Sequence, residues 1–343
     1  MKVSQNDWRR LYEAALRVEE MAPWEWMEEI DVFGVWPHGR DTAAFVSVMG
    51  MLGEYTAVAV YTGPREWHQF LQIQDDPGGG DAAGRIMEVN HLHAAFGQVA
   101  DLEPPDKKVI RALGLTLRAS QLQPYFRSFR PGYFPWFVEA EEVCLLTDAL
   151  EQLLVIAPLV QNDRALLLAG TKPHSVLTRV QEAPDGPWCH RAHVFPPVAT
   201  TFRVEVPADL MSEVSAMDES ACAVEVDVFP GFMRVGKQSE RPQNPYVLLA
   251  VEPKSRFVLG VEMLTVETTL EAMWATLPEK LLRMLTKNGI RPSTFSVCTP
   301  WVGMVLDSVC SALNTKLQRK AHLPALDRVR RDFEQQFLQA DQR

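Results

Sequence analysis

Apolar residues recur at helical spacing at Trp8, Leu11, Tyr12, Ala15 and Val18, which predicts an amphipathic first helix. Asn6 or Asp7 can cap it, and Pro23 lies beyond its end. Three strand-like runs follow, Asp31 to Trp36, Thr42 to Met49 and Thr56 to Tyr61, with Gly39 and Gly53 in the gaps, so an antiparallel meander is expected. Pro64 opens a short helix carrying Trp67, Phe70 and Leu71. Asp75 to Gly84 has the composition of an exposed loop, and Met87 to Phe96 that of a strand. Pro104 and Pro105 begin a helix reaching Leu113. Tyr125 to Phe137 reads as an aromatic, proline-rich connection into a helix with Val143, Leu146, Leu150, Leu153 and Ala157 in phase, which Pro158 should stop. Ser175 to Val180 and Trp188 to Val194 flank Pro184-Asp185-Gly186 as a hairpin, and Pro196-Pro197 is a candidate linker.

Beyond the linker, Val224, Val226 and Val228 alternate with Glu225 and Asp227, a half-buried strand. Tyr246 to Val251 is continuously apolar, as a central strand would be. Phe257 to Leu264 follows a turn at Pro253-Lys254-Ser255. Leu270, Trp274, Leu277, Leu281 and Met284 share a helical stripe closed by Gly289. Then come a strand at Thr294 to Cys298, a helix with Val302, Leu306, Val309 and Leu313, a short strand at Thr315 to Arg319, and a last helix from Pro324 with Leu326, Val329, Phe333 and Phe337 in phase. The expected class is α/β, α+β overall, in two domains. Residues 1–198 form an antiparallel sheet with helices. Residues 199–343 have the order β-β-β-α-β-α-β-α, which is ribonuclease H-like; that analogy concerns element order and does not fix function.

The length of 343 residues fits two domains. The net charge of −10 disfavours bulk nucleic-acid binding. A local basic group, Lys316, Arg319, Lys320, Arg328, Arg330 and Arg331, reads as a solvated face. Cys144, Cys189, Cys222, Cys298 and Cys310 are odd in number and include no C-x-x-C pair. A disulfide framework and a four-cysteine zinc site are therefore unsupported, and buried, unreactive thiols are expected. The first twenty residues lack the apolar stretch of a signal peptide, and no uncharged apolar run approaches the ~18 residues of a membrane span. The cytoplasm is the expected compartment, without a membrane partner.

Two stretches carry a family resemblance: Pro23-Trp24-Glu25-Trp26-Met27, and Phe126 to Trp136 (Phe-Arg-Ser-Phe-Arg-Pro-Gly-Tyr-Phe-Pro-Trp), continuing into Leu146 to Gln152. Together they resemble a family of bacterial proteins with a domain of unknown function. Tyr246 to Val251 with Phe257 to Gly260 resembles a second such domain found behind the first. The resemblance implies a bacterial origin, and neither an activity nor functional residues.

Candidate chemistry is sparse. No phosphate loop, Gly-x-Ser-x-Gly elbow or cofactor motif is present, so no cofactor is expected. Asp227 lies where the first metal-binding carboxylate of a ribonuclease H-like enzyme would lie, with Glu225 on the same face and Asp327, Asp332 and Glu334 on the last helix. Such carboxylates hold metals for phosphoryl transfer. The fourth strand, however, ends Cys298-Thr299-Pro300 without an acid, and Asp227 reads equally as an edge-strand acid facing water. His91 and His93 project from one strand face and could begin a zinc site with Glu88 or Asp101. The alternative is two hydrogen-bonded or exposed histidines. His190 and His193 should face opposite sides, and Cys189 and His190 should point apart. Arg127 and Arg130, interleaved with Tyr133, Trp136 and other aromatics, form a candidate ligand- or partner-binding segment; the alternative is a rigid anchor for the helix that follows. Trp24 and Trp26 read as a staple between the first helix and the sheet. The expected function is non-catalytic binding or regulation, with a protein or a small anionic ligand as partner. A divergent metal-dependent nuclease or phosphoryl hydrolase is the alternative.

Overall fold

Helix α1 (Gln5–Met21) begins before either residue expected to cap it. Ser4 is the N-cap: its side chain accepts from the Asp7 N–H, and the Asp7 carboxylate accepts from the Ser4 N–H. This reciprocal box satisfies two donors that the first turn leaves unpaired, so Asp7 serves at the third helical position and not as the cap. Ala22 ends the helix at φ 50. This computed structural model describes residues 3–53, 55–75, 82–117, 121–168, 172–198, 203–231, 233–237 and 240–340, with side chains left out at 82–83 and 334–340. The class is mixed α/β with two mixed sheets. The chain divides into two units, Met1–Arg130 with Pro135–Ala199, and Pro131–Phe134 with Thr200–Arg343.

The first unit is built on seven strands: β1 (Phe33–Trp36), β2 (Ala44–Met49), β3 (Ala57–Tyr61), β4 (His91–Gly97), β5 (Gln123–Phe129), β6 (Ser175–Gln181) and β7 (Trp188–Val194). Their order is β5-β4-β3-β2-β1-β6-β7. β1 to β5 form an antiparallel meander, β6 joins β1 in parallel, and β7 returns antiparallel. Helices α2 (Pro64–Asp75), α3 (Ala82–Ile86), α4 (Pro104–Ala112) and α5 (Ala140–Asn162) complete the unit. One sheet face packs with α1, α4 and α5 through Leu11, Val35, Leu92, Phe126, Ile110, Leu146 and Leu153. The other packs with α2 through Phe45, Tyr61, Trp67 and Phe70.

Three expectations are corrected here. Tyr125 to Phe137 is not all connection, because Gln123–Phe129 is an edge strand pairing along the whole of β4. An edge position tolerates Pro124, and the aromatic composition hid the alternation. Strand β4 starts at His91 and not at Met87. Helix α5 runs through Pro158 to Asn162. Leu153, Ile156, Ala157 and Val160 are buried on both sides of the proline, and that packing outweighs the lost hydrogen bond. The expected loop at Asp75 to Gly84 is mostly outside the described residues; its ends belong to α2 and α3. Helix α5 is long and apolar enough to span a bilayer by length and composition, yet 61% of its apolar window is buried in the fold. Trp24 lies 5.1 Å from the Phe96 ring, and Trp26 Nε1 donates to Ala157 O, so both tryptophans do join the α1 end to the sheet and α5.

In the second unit, α6 (Ala208–Ser215) precedes β8 (Glu219–Pro230), β9 (Tyr246–Glu252), β10 (Phe257–Leu264), α7 (Leu270–Ala275), α8 (Leu277–Asn288), β11 (Arg291–Val297), α9 (Pro300–Leu313), β12 (Lys316–Arg319) and α10 (Pro324–Ala340). The sheet order is β10-β9-β8-β11-β12. β8, β9 and β10 are mutually antiparallel, and β11 and β12 run parallel to β8. Helices α6 to α9 cover one face, and α10 covers the other through Leu326 against Leu249 and Val251. β8 is thus the middle strand, so Asp227 is not an edge-strand acid.

Gly34 shows how closely β1 and β6 approach. A Cβ added there would lie 2.7 Å from Thr178 Oγ1 and 3.0 Å from its Cγ2. Gly34→Ala is therefore expected to destabilise the protein by about 1–3 kcal/mol through overpacking. The added change Thr178→Ala, which removes the two nearest atoms, should recover part of the loss in urea unfolding.

Candidate functional site

The aromatic–arginine segment alternates across β5, so Phe126 enters the core while Arg127 leaves by the opposite face. Arg127 then turns back at the sheet edge. Its two Nη groups donate to Asp106 Oδ1 and Oδ2 at 2.9 and 2.8 Å, Nη1 also reaches Phe126 O, and Nη2 meets Glu103 Oε1 at 3.1 Å. The guanidinium lies 4.8 Å from the Phe137 ring centre and 5.1 Å from that of Tyr125. Only 7% of the residue is exposed. Burial lowers its pKa, but the bonds to Asp106 and the charges of Asp106 and Glu103 outweigh that and raise it. Arg130 is half exposed and binds Glu142 and Glu139 at 2.9 and 3.2 Å; Glu142 also accepts from Ser128 Oγ. Trp136 returns to the sheet through paired backbone bonds with Ser128. Tyr133 belongs to the second unit, where it bridges Gln243 and its hydroxyl reaches Val266 O. Within the first unit, Trp136 and the two arginines are taken up by separate contacts. Arg127 and Arg130 fasten β5 to α4 and to the start of α5.

His91 and His93 do share one face, with ring centres 4.7 Å apart and both near Phe129. Both are buried. His91 Nδ1 bonds to Val89 O and His93 Nδ1 to the Tyr55 hydroxyl. Burial pushes His91 down to about 4 and His93 well below the usual range, so both rings are neutral at pH 7. His91 Nε2 has no partner among the described residues. Asp101 is turned to its own 3-10 turn, accepting from Gln98 N. Among the described residues no group of three or more His, Cys, Asp or Glu is placed to hold an ion. His190 and His193 face opposite sides of β7, opposite Arg179 and Val176 respectively.

In the second unit, Glu225 is 3% exposed. Its Oε2 accepts from the Ala325 and Leu326 N–H groups at 3.0 and 2.9 Å, the first turn of α10, where a carboxylate is favoured by the helix dipole. Asp227 accepts from the Val228 N–H at 2.9 Å, and Thr299, at the N-cap of α9, lies close enough to favour its charged form. Burial raises its pKa against these two influences. Asp327 accepts from Leu323 N; the Glu334 side chain is outside the described residues, and Asp332 is exposed. The thiols correct another expectation: Cys144 and Cys298 are exposed and only Cys310 is buried. Burial and nearby acids raise both exposed thiols, which keeps them protonated. The basic group is exposed at Lys316, Arg319, Lys320, Arg328 and Arg331, while Arg330 lies over the Phe229 ring.

Residues 8–179, half the chain, match the family described as Domain of unknown function (DUF7309). The chain belongs to that family. Residues 211–334 match a second one, Domain of unknown function (DUF6930). No curated protein and no solved structure matches the chain. The Pro23–Met27 and Phe126–Trp136 motifs fall inside the DUF7309 segment, and the Tyr246–Val251 and Phe257–Gly260 runs inside the DUF6930 segment.

The DUF7309 segment also contains titratable groups that the motif reading passed over. Asp148 on α5 makes no hydrogen bond among the described residues, and burial first, then the charge of Glu151, pushes it up to about 6 against Arg10 and Arg40. Arg179, on the α5-facing side of β6, bonds through Nε to Gln152 Oε1 at 2.9 Å. The available signal was a polar residue at an inward-facing position: Arg179 follows Leu177 by two on β6, and Gln152 sits between Leu150 and Leu153 on α5.

Two outcomes follow from these contacts. Arg127→Ala strands a buried Asp106 and is expected to cost about 3–5 kcal/mol in denaturant unfolding, with no ligand needed to see it. Asp148 binds a proton more readily folded than unfolded, so its contribution to stability falls as pH rises from about 4 to about 6 and stays low above that. Asp148→Asn is therefore expected to stabilise the protein by about 1–2 kcal/mol at pH 7.5 and to have little effect at pH 3.5; equal effects at both would contradict the assignment.

Proposed function

We propose that this is a non-catalytic binding or regulatory protein of the bacterial cytoplasm, with a ribonuclease H-like second unit that has lost its metal chemistry. The ribonuclease H-like reading is supported by three antiparallel strands β8–β10, two further strands parallel to β8, and a last helix on the opposite face. In that frame Asp227 stands beside the end of β11, where a hydrolase would gather its carboxylates. One observation carries the non-catalytic reading. The two candidate acids of β8 are already engaged, Glu225 by the first-turn N–H groups of α10 and Asp227 by the Val228 N–H beside Thr299 at the start of α9, and the β11 end supplies a threonine and a thiol. A two-metal site needs several free carboxylate oxygens facing one point. Carboxylates turned to backbone N–H groups are poor ligands for a hard cation. The partner is a protein or a small anion.

Magnesium or manganese at millimolar concentration is expected to leave the melting temperature unchanged, since a ligand of the native state must raise it. A metal-dependent rise abolished by Asp227→Asn, together with cleavage of a nucleic acid, would instead establish the divergent hydrolase.

A further inference from the structure

Two arginines of the first unit are equally buried, with 7% of each exposed. Arg127 has two carboxylates. Arg179 has none: no acid lies within ion-pair distance among the described residues, and its one hydrogen bond is the neutral amide of Gln152. Buried guanidinium groups are ordinarily paired. Burial correspondingly lowers the pKa of Arg179, whereas the acids raise that of Arg127.

The donors left over are well matched to an oxyanion. With Nε held by Gln152, the Nη1–Nη2 edge of the Arg179 fork makes no bond, and neither does the Gln152 side-chain NH2; Gln152 itself is 4% exposed. None of these nitrogens is sealed from solvent. His190 lies directly across the β6–β7 pair from Arg179 and is exposed on the edge strand. A planar fork with a flanking amide binds a carboxylate or a phosphate through two parallel bonds. Val155 and Leu159 follow Gln152 by three and seven residues, so they share its stripe of α5, and they are 43% and 41% exposed. They provide apolar surface beside the charge.

We propose that Arg179, Gln152 and His190 form a binding site for a small oxyanion, a carboxylate or phosphate group, between α5 and the β6–β7 edge. The site deepens the binding-protein reading above and rests on it for its purpose, though not for its chemistry. The Arg179 fork receives two oxygens, the Gln152 amide a third contact, and an apolar substituent on the ligand lies along Val155 and Leu159.

The test is calorimetric titration of the whole protein with inorganic phosphate and, separately, with hexanoate. Saturable binding of at least one is expected, weakened about tenfold or more by Arg179→Gln, and weakened less by Arg179→Lys, which keeps the charge but loses the fork. Gln152→Leu, which removes no charge, should also weaken binding and guards against a folding failure at Arg179. Phosphate binding alone marks a phosphate site; hexanoate binding alone marks a carboxylate site with an apolar body. No saturable binding of either, or equal binding by wild type and Arg179→Gln, overturns the site and leaves the non-catalytic reading standing. Turnover of a bound organic phosphate with release of phosphate would overturn the non-catalytic reading and leave the site standing.

Discussion

Neutralising charge inside the fold is the constraint around which both units are arranged. A charged side chain removed from water is tolerated when hydrogen bonds or an opposite charge replace its hydration. Arg127 meets Asp106 and Glu103, and through them β5 is held to α4. Glu225 meets the first turn of α10, and Asp227 accepts from the Val228 N–H beside Thr299, so the central strand of the second sheet fixes the start of the helix on one of its faces. These are structural uses of residue types that elsewhere do chemistry. They give packing roles to acids and arginines that occupy suggestive positions in the sequence.

The same constraint separates the groups that the fold has consumed from those it has left over. The segment from Arg127 to Trp136 is consumed, since its guanidinium groups face Asp106, Glu103, Glu139 and Glu142. The His91–His93 pair is neutral and packed on Phe129. Arg179 is different in kind. It carries full charge at neutral pH, is as buried as Arg127, and has an amide where Arg127 has carboxylates. A charge the fold leaves unmatched is a reason to look for the matching group outside the chain.

Much of the fold was legible because it depends on periodicity. The α1 stripe, the meander to Tyr61, the β6–β7 hairpin and the alternating elements after Leu264 all follow from apolar spacing. What failed was local punctuation overridden by packing. Pro158 reads as a stop, but the buried residues on both sides carry α5 past it. The cap itself is readable, since Ser4-Gln5-Asn6-Asp7 has the capping-box spacing, and Asn6 and Asp7 compete with it only because they are cap-formers lying up to one turn too late. Gln123–Phe129 looked like a connection because proline and aromatics masked a strand whose partner, β4, lies about 30 residues earlier. The site was less legible than the fold. Sequence places Asp227 and Arg127 well, but whether their polar atoms are free depends on Thr299, Asp106 and Glu103, which alternation cannot supply. Arg179 showed only as a charged residue in a half-buried strand, and its lack of an acid is a property of three dimensions.

The measurement that bears most directly on this account is a crystal structure grown with manganese and phosphate both present, read with anomalous scattering from manganese. The account predicts an oxyanion held by the Arg179 fork and no manganese peak at Asp227. A manganese ion on the Asp227 carboxylate, with its bond to the Val228 N–H broken and Arg179 bare, would contradict it.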